Sequence, residues 1–354
     1  MATGSFAGLS QSLVPLPPTC GVAARALAYT ALQAPIVGSQ YVYALADEGL
    51  FAYTLADISP VQKLPLQLGC VPLSGVVEAS GLGLVVVVLS CSFGTQLMMT
   101  NSSTLTTTLN PLSSSTSTVG TVLDAGGAGL LLGSYDTIAF GMGLDGAIIW
   151  NFTAPSAVVG MTISDNNGNP VVVLETNATL LAVFLISGQQ AWAVPTAPSN
   201  LMVANETILF LAAGGPVMAV SPSTGKPLWQ SPGATCTSHL ALTAACTIVC
   251  AQGGLLVSLN PQTGVVGWSS PLPSGSSAVD VIVGPASAAV LSASTSATVQ
   301  VSVVSLSTGS PMWSTTLPGS GGRLAMSAPG TMLVLLYNQA ASYLYQLSGW
   351  SSVC

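Results

Sequence analysis

Short runs of apolar residues alternate along this chain with small polar turns, and the pattern within each run is typical of β-strands. The segment LLVSLNPQTGVVGWSSPL, residues 255–272, divides into an alternating apolar run, a turn from Asn260 to Gly264 and a second run through Trp268. Asn, Pro, Ser and Gly tolerate the backbone angles of tight turns, and glycine supplies a positive φ at the end of the turn. The pattern therefore predicts antiparallel hairpins.

One phrase of this pattern recurs: a polar turn, a glycine and, four residues later, a tryptophan. Its five copies end at Trp150, Trp192, Trp229, Trp268 and Trp313. The glycines lie at positions 146, 188, 225, 264 and 309, so the steps between them are 42, 37, 39 and 45 residues. Two further short strands precede each hairpin. A period near forty residues with four strands predicts one propeller blade per repeat.

Two degenerate copies extend the series towards the N-terminus. In the first, Gly49 is followed four residues later by Tyr53, which we interpret as a substitute for the tryptophan; in the second, Leu105 takes the place of the glycine. Residues 323–354 supply three strands of a last blade, and a closing strand within residues 1–20, at 11–17, completes it. We therefore predict a single all-β domain over residues 1–354. It is a propeller of four-stranded antiparallel blades closed by its N-terminal strand, with eight blades favoured and seven as the alternative.

The aromatic residue of each repeat has a packing role in this scheme. A large flat side chain that projects from the outermost strand fills the wedge between neighbouring blades and buries about 150–250 Å². We expect this role, rather than ligand binding, for six residues: Tyr53, Trp150, Trp192, Trp229, Trp268 and Trp313.

The (S/N)PxTG–xxxW phrase resembles the repeat of the quinoprotein-like, PQQ-type β-propellers, most strongly between residues 139 and 316. The resemblance implies the fold but not the function, because that family includes eight-bladed alcohol dehydrogenases and non-catalytic scaffold propellers. A quinoprotein dehydrogenase needs acidic and amide groups to hold calcium and usually carries adjacent cysteines. This chain has no adjacent cysteines, and its carboxylates do not cluster in the sequence. We therefore predict no cofactor and no catalytic residue.

Charge is scarce in this protein. Its 354 residues include 4 Lys and Arg and 11 Asp and Glu, with a net charge of −7, while half of the residues are hydrophobic. Four scattered basic residues cannot form the electrostatic footprint of a nucleic-acid-binding protein. The strongest apolar run, residues 82–89, has the length of a buried strand and not of a membrane helix. Such a surface must rely on polar uncharged groups, on attached sugar or on burial against partners.

The seven cysteines fall into pairs when the repeats are aligned. Cys70 and Cys236 lie early in the first strand of a blade, whereas Cys91 and Cys250 close the second strand. The start of one antiparallel strand faces the end of the next, so this alignment predicts Cys70–Cys91 and Cys236–Cys250 disulfides. A third bridge, Cys20–Cys354, is expected to join the two ends of the chain, which leaves Cys246 as a thiol. Disulfides indicate an oxidising compartment.

Four Asn-X-Ser/Thr sequons support the same compartment. Three of them lie in or beside predicted turns and one lies on a predicted edge strand, where glycosylation enzymes have access. The asparagines are Asn101, Asn151, Asn177 and Asn205.

Other chemistry finds little support in the sequence. His239 is the only histidine, so a Ser–His–Asp hydrolase would have to use it. A zinc site would have too few ligands in His239, Cys246 and Cys250. Residues 165–169 carry alternating oxygen ligands, but Pro170 stands where a calcium loop requires glycine. We therefore expect no metal site.

Together these features predict a non-catalytic, secreted or cell-surface glycoprotein that serves as a structural or protein-interaction module. It could be the repeating subunit of a surface coat or filament, and its partners would be further copies of itself or other extracellular proteins, with covalent glycans. The alternatives are a propeller that binds carbohydrate or another small ligand, and a quinoprotein-type oxidoreductase.

Overall fold

A computed structural model describes most of the chain, and all statements below concern the described residues. They are residues 22–27, 36–38, 40–46, 49–55, 59–79, 83–124, 130–143, 147–164, 166, 168–204, 207–212, 215–237, 240–243, 247–273, 276–284, 286–294, 298–326, 332–337 and 342–347.

Seven blades are built from consecutive strands, and within each blade the strands pair antiparallel from the innermost to the outermost. Blade 1 contains β2 (Ile36–Val37), β3 (Tyr41–Ala46), β4 (Gly49–Thr54) and β5 (Pro60–Pro65). Blade 2 contains β6 (Cys70–Pro72), β7 (Val77–Ala79), β8 (Leu84–Cys91), β9 (Gly94–Asn101) and β10 (Thr107–Ser113), and both β6 and β7 pair with β8. Blade 3 contains β11 (Gly120–Asp124), β12 (Leu130–Tyr135), β13 (Ile138–Gly143) and β14 (Ile148–Thr153). Blade 4 contains β15 (Val158–Ser164), β16 (Val171–Thr176), β17 (Leu180–Phe184) and β18 (Gln190–Val194).

The remaining three of these blades follow the same plan. Blade 5 contains β19 (Ser199–Ala204), β20 (Thr207–Leu211), β21 (Pro216–Val220) and β22 (Pro227–Thr235). Blade 6 contains β23 (Ala241–Leu242), β24 (Ile248–Gln252), β25 (Leu255–Leu259) and β26 (Val266–Pro271). Blade 7 contains β27 (Ser276–Val283), β28 (Ser287–Ser294), β29 (Thr298–Ser305) and β30 (Pro311–Pro318).

A further four-stranded sheet, the terminal sheet, joins the two ends of the described chain. It consists of β31 (Gly321–Met326), β32 (Met332–Tyr337), β33 (Ser342–Leu347) and β1 (Val22–Leu27), and β1 pairs antiparallel with β33. The N-terminal strand in this sheet is therefore Val22–Leu27, which lies beyond the interval 1–20 that the sequence predicts. Residues 11–17 lie outside the described residues.

The core lies between the blades. Strands β8 and β16, with the sequences LVVVVLSC and VVVLET, are buried along almost their whole length because both of their faces meet a neighbouring blade. The interface of blades 4 and 5 is representative: Val171, Val173 and Trp192 of one blade pack with Ile208 and Phe210 of the next. Each blade thus depends on its neighbour to bury its faces.

Tryptophans of four consecutive blades cross to the turn of the following blade and donate a hydrogen bond there. The Nε1–H groups of Trp150, Trp192, Trp229 and Trp268 donate to the carbonyl oxygens of Leu185, Pro222, Pro261 and Leu306 at 2.7, 2.6, 3.0 and 2.7 Å. We call this contact the tryptophan latch. The fifth tryptophan, Trp313 of blade 7, packs against Leu324 and Val334 of the terminal sheet.

The glycine of each turn is needed for two reasons, the positive φ of the turn and the space that the indole of the latch occupies. Gly188, Gly225, Gly264 and Gly309 have φ angles of 67, 68, 69 and 71°, and the N–H of Gly264 donates to the carbonyl of Asn260 at 2.8 Å. A Cβ atom on any of the four would lie 2.5 to 2.7 Å from the indole ring of the preceding blade's tryptophan. The recurring glycine and tryptophan of the sequence therefore meet across blades and not within one.

Leu105 occupies the glycine position of blade 2, as its alignment predicts. It has a positive φ of 55°, and its N–H donates to the carbonyl of Asn101 at 2.9 Å, the bond that Gly264 makes to Asn260. The Asn101 Oδ1 atom accepts from the N–H groups of Ser103 and Thr104, as Asn260 does in its own turn.

The assignment of Tyr53 to the tryptophan position is wrong. Tyr53 lies on β4, the third strand of blade 1, where it pairs with Val42 and Pro60. Gly49 opens that strand instead of closing a turn, and it is needed because a Cβ there would lie 2.5 Å from the Leu64 carbonyl oxygen. The outermost strand is β5, and Gln62 takes the register position that the tryptophan occupies in later blades.

We predict that Gly264→Ala destabilises the protein more than Gly254→Ala. Both glycines have positive φ, 69 and 86°, so both substitutions carry a backbone cost of roughly 1–2 kcal/mol. Only Gly264 faces an indole, with its Cβ position 2.5 Å from Trp229, whereas nothing lies within 4 Å of Gly254. The clash should add about 1–3 kcal/mol in the free energy of unfolding, measured by denaturant titration. Equal losses for the two variants would contradict the latch.

Candidate functional site

The structure joins both cysteine pairs that lie within the described residues. Cys70 is bonded to Cys91 and Cys236 to Cys250, with Cα separations of 3.9 and 5.8 Å. Cys70 and Cys91 are direct partners in the register of β6 and β8, which is the reason that the repeat alignment finds them. The Cys20–Cys354 bridge and Cys246 lie outside the described residues.

The Cys70–Cys91 disulfide lies beneath a projecting apolar surface, which we call the blade 2 tip and define as Leu68, Val71 and Phe93. Their exposed fractions are 95, 54 and 47%. The Ser92 N–H donates to the Gly69 carbonyl at 3.0 Å, which ties the two loops of the tip together. The tip is therefore an apolar feature held in place by a covalent bond and a hydrogen bond.

Two of the four sequon asparagines, Asn151 and Asn177, are exposed. Asn151 lies on β14, the outermost strand of blade 3, and Asn177 lies in the turn between β16 and β17. Asn101 is partly buried, and its Oδ1 atom also accepts from the Ser103 hydroxyl at 2.7 Å. Asn205 lies outside the described residues.

The buried carboxylates of Glu175 and Asp280 connect neighbouring units of the propeller. Glu175 Oε2 accepts from the N–H of Leu201 in the next blade at 3.2 Å, and Asp280 Oδ2 accepts from the N–H of Leu324 in the terminal sheet at 2.8 Å. Burial raises the pKa of Glu175, and the bond from Leu201 opposes that shift. Each carboxylate thus satisfies a backbone donor on the innermost strand of its neighbour.

No group of three or more metal-ligating side chains is found among the described residues. Asp136 Oδ1 accepts from the Thr118 N–H at 2.9 Å and so holds a loop of blade 3. In the candidate calcium loop, the Asn169 N–H donates to the Asn166 carbonyl and Gly168 has φ of 81°, which is the geometry of a hairpin turn. Asp165, Asn167 and His239 lie outside the described residues.

A cleft of about 480 Å³ opens between blades 6 and 7. Its floor is apolar, with Leu256 and Leu272 of blade 6 and Val290 and Val304 of blade 7 all buried. Its wall on blade 7 carries small or uncharged polar groups: Gln300, Ser302 and Ser314. Sequence reasoning missed this cleft, because it depends on which residues of two blades face each other.

The comparisons with known proteins agree with this architecture. A family model described as "Outer membrane protein assembly factor BamB" matches residues 113–245 and 144–346, which together cover more than half of the chain. The chain belongs to the PQQ-type β-propeller family. No curated protein matches it.

Solved structures resemble this PQQ-type propeller at low sequence identity. BamB from Moraxella catarrhalis is 13% identical, with a TM-score of 0.66, over 92% of this chain and 99% of that chain. The computationally designed Ika8 protein is 14% identical, with a TM-score of 0.69, over 90 and 98% of the two chains. KlHsv2 with loop 6CD replaced by a Gly-Ser linker is 11% identical, with a TM-score of 0.56, over 79 and 98%. At these identities the likeness shows the fold alone.

The structure of this PQQ-type propeller also contains no helix, among its described residues, that is long and apolar enough to cross a membrane.

We predict that Glu175→Gln stabilises the protein at neutral pH. The folded-state pKa of Glu175 is raised above the ordinary value, so the ionised form weakens the native state as pH rises through that window. The glutamine amide oxygen can still accept from Leu201 and carries no charge. The variant's advantage in the free energy of unfolding should be present at pH 7 and disappear as pH falls to about 4.3. Glu175→Ala, which also removes the acceptor, is the matched control and should be less stable than Glu175→Gln.

Proposed function

We propose that this protein is a non-catalytic propeller that acts as a structural or protein-interaction module, with self-association as its leading mode. The observation that carries the proposal is the blade 2 tip. A projecting apolar side chain such as Leu68, 95% exposed, is stabilised when a partner covers it. The disulfide below it fixes the tip before binding, which lowers the entropy lost on association.

The scarcity of charge supports self-association. An interface between copies of a chain with only 15 charged residues in 354 would remove few charged side chains from water, and apolar side chains are exposed on the outermost strands as well, at Ile149 and Met312. A tip that binds a different surface of the next copy gives an open, head-to-tail assembly, which is the geometry of a coat or filament.

A secreted or cell-surface location and N-glycosylation belong to the same proposal. Two disulfides are typical of proteins from an oxidising compartment. Exposed Asn151 and Asn177 have side chains that an oligosaccharide could reach without unfolding of the protein. Attached sugar would supply the surface hydration that charged side chains supply in most proteins.

The blade count of eight is also proposed. The terminal sheet has four strands like the other blades; β31 contacts β27 and β28 of blade 7 on one side and β2 of blade 1 on the other. A terminal sheet in this position would act as an eighth blade and close the ring through the β1–β33 pairing.

We predict that Leu68→Asp and Phe93→Asp reduce self-association without lowering the melting temperature. Each substitution puts a charge into the surface that a second copy would bury, while the exposed position leaves the fold intact. Sedimentation velocity over a range of concentrations provides the measurement. Leu228→Asp, at an exposed position on a different blade, is the control and should associate as the wild type does.

A monodisperse wild-type monomer at all concentrations would contradict self-association. Equal loss of association in Leu68→Asp and Leu228→Asp would contradict the specific role of the tip.

We predict that protein isolated from its native source carries N-linked sugar at Asn151 and Asn177. Both side chains are exposed, whereas Asn101 uses its Oδ1 atom to hold a turn and should be modified less completely. Intact-mass and glycopeptide mass spectrometry measure the occupancy of each asparagine. Unmodified asparagines at both exposed sites would contradict the glycoprotein proposal.

A further inference from the structure

The cleft between blades 6 and 7 lies where some residues differ in type from those at the same repeat positions of other blades. Ser302 on β29 pairs in register with Val290 on β28 and Ser314 on β30, so the three form one row across the face of blade 7. The tryptophan of each of these blades pairs with one residue of the third strand, and Ser302 is the residue just before that partner in blade 7. The equivalent position is apolar in four other blades, where it is Phe140, Leu181, Met218 or Val257. Only blade 7 among these places a serine there.

The facing blade contributes a second small polar residue. Ser270 follows Trp268 by two positions, where blades 3 and 4 have Phe152 and Val194. Blade 5 also has a serine there, but the Ser231 Oγ accepts a hydrogen bond from the Val217 N–H at 3.1 Å. Two adjacent blades have therefore each lost the bulk that would fill their interface.

Ser270 is the unusual member of this pair. It is 2% exposed, and its Oγ atom is buried with no hydrogen-bond partner among the described residues. A buried hydroxyl without a partner destabilises the protein, so an unfilled hydrogen-bonding position beside an open cleft indicates a site that a ligand completes. A valine in place of Ser270, as in blade 4, would remove this penalty.

The chemistry of the lining defines the ligand. None of the described residues that line the cleft is charged, which disfavours carboxylates, phosphates and amines. The polar groups are hydroxyls and one amide, at Ser270, Ser302, Ser314 and Gln300, and these can donate and accept at the same time. A ligand that matches them carries hydroxyl groups of its own.

The accessible apolar lining adds a second requirement, because exposed Met312 and partly exposed Trp313 offer apolar contacts to a ligand. A pyranose ring combines a C–H face with a hydroxyl edge and has no charge. The volume of about 480 Å³ lies in the usual range of small-molecule sites and leaves room for a short oligosaccharide. We propose that this cleft is a binding site for a neutral saccharide, either free or as part of a glycan.

This site is separate from the blade 2 tip, so it does not depend on the proposed interaction function. It also differs from a site in the central channel, since its lining comes from the outer three strands of blade 7 and the outer two of blade 6, together with Leu272 and Pro273.

The test is a titration of the full-length protein with neutral oligosaccharides of mannose, glucose and galactose, by saturation-transfer NMR and calorimetry. Wild type should bind at least one of these saturably. Ser302→Leu, which copies Leu181 of blade 4, should fill the cleft and abolish binding. Thr316→Ala, an exposed position on β30 that does not line the cleft, is the matched control and should bind as wild type does.

A second variant keeps the proposal testable if Ser302→Leu fails to fold. Ser270→Val, which copies Val194, removes the unpaired hydroxyl and should raise the melting temperature while it weakens binding at least tenfold. Comparison of free oligosaccharide with a glycoprotein that displays the same sugar distinguishes the two sources of ligand.

Three results would overturn the proposal. These are the absence of binding by wild type to every oligosaccharide tested, unchanged affinity in both cleft variants, and preference for an uncharged peptide over all of the sugars. Sedimentation of the same cleft variants should show unchanged self-association, so failure of this proposal is distinguishable from failure of the tip.

Discussion

The contact between the tryptophan of one blade and the turn of the next is the interaction on which the rest of this structure depends. A propeller blade has two apolar faces and cannot bury either alone, so its stability comes from its neighbours. The latch joins three requirements at one point: an indole that fills the interface, a carbonyl that accepts its N–H, and a glycine that leaves room for the ring. The indole belongs to one blade, whereas the carbonyl and the glycine both lie in a turn of the next blade, which makes neighbouring blades interdependent.

Polar side chains also form hydrogen bonds from one blade to the next. Glu175 and Asp280 accept backbone N–H groups from the innermost strand of the following unit, and these are among the few charged residues of the chain. Their charges are therefore used inside the ring. The outer surface has few charged side chains, such as exposed Lys63 and Lys226, and many apolar and hydroxyl groups.

Local features of the fold could be predicted from the sequence, whereas the particular residues that contact each other across facing blades could not. The turns are local: Asn260, Thr263 and Gly264 encode theirs within five residues, and Leu105 could be recognised because Asn101 accompanies it. Tyr53 was misplaced because a glycine followed by an aromatic residue also occurs where a strand passes close to a carbonyl.

The candidate cleft shows the same limit. Ser270 and Ser302 are separated by 32 positions in the sequence, and neither is unusual by itself. Their significance appears only when the register of two blades places both beside one cavity. The bond from Leu201 to Glu175, across 26 positions, likewise needs the geometry of two adjacent blades.

The most direct test of the latch is to weaken it at Trp192, whose Nε1–H donates to the Pro222 carbonyl at 2.6 Å. Trp192→Phe should lower the free energy of unfolding by about 1–3 kcal/mol because a buried carbonyl loses its donor. Trp192→Ala should cost about 3–5 kcal/mol. Native-state hydrogen exchange should show the lost protection in both blades 4 and 5. Losses under about 0.5 kcal/mol for both variants, or faster exchange confined to blade 4, would contradict the account.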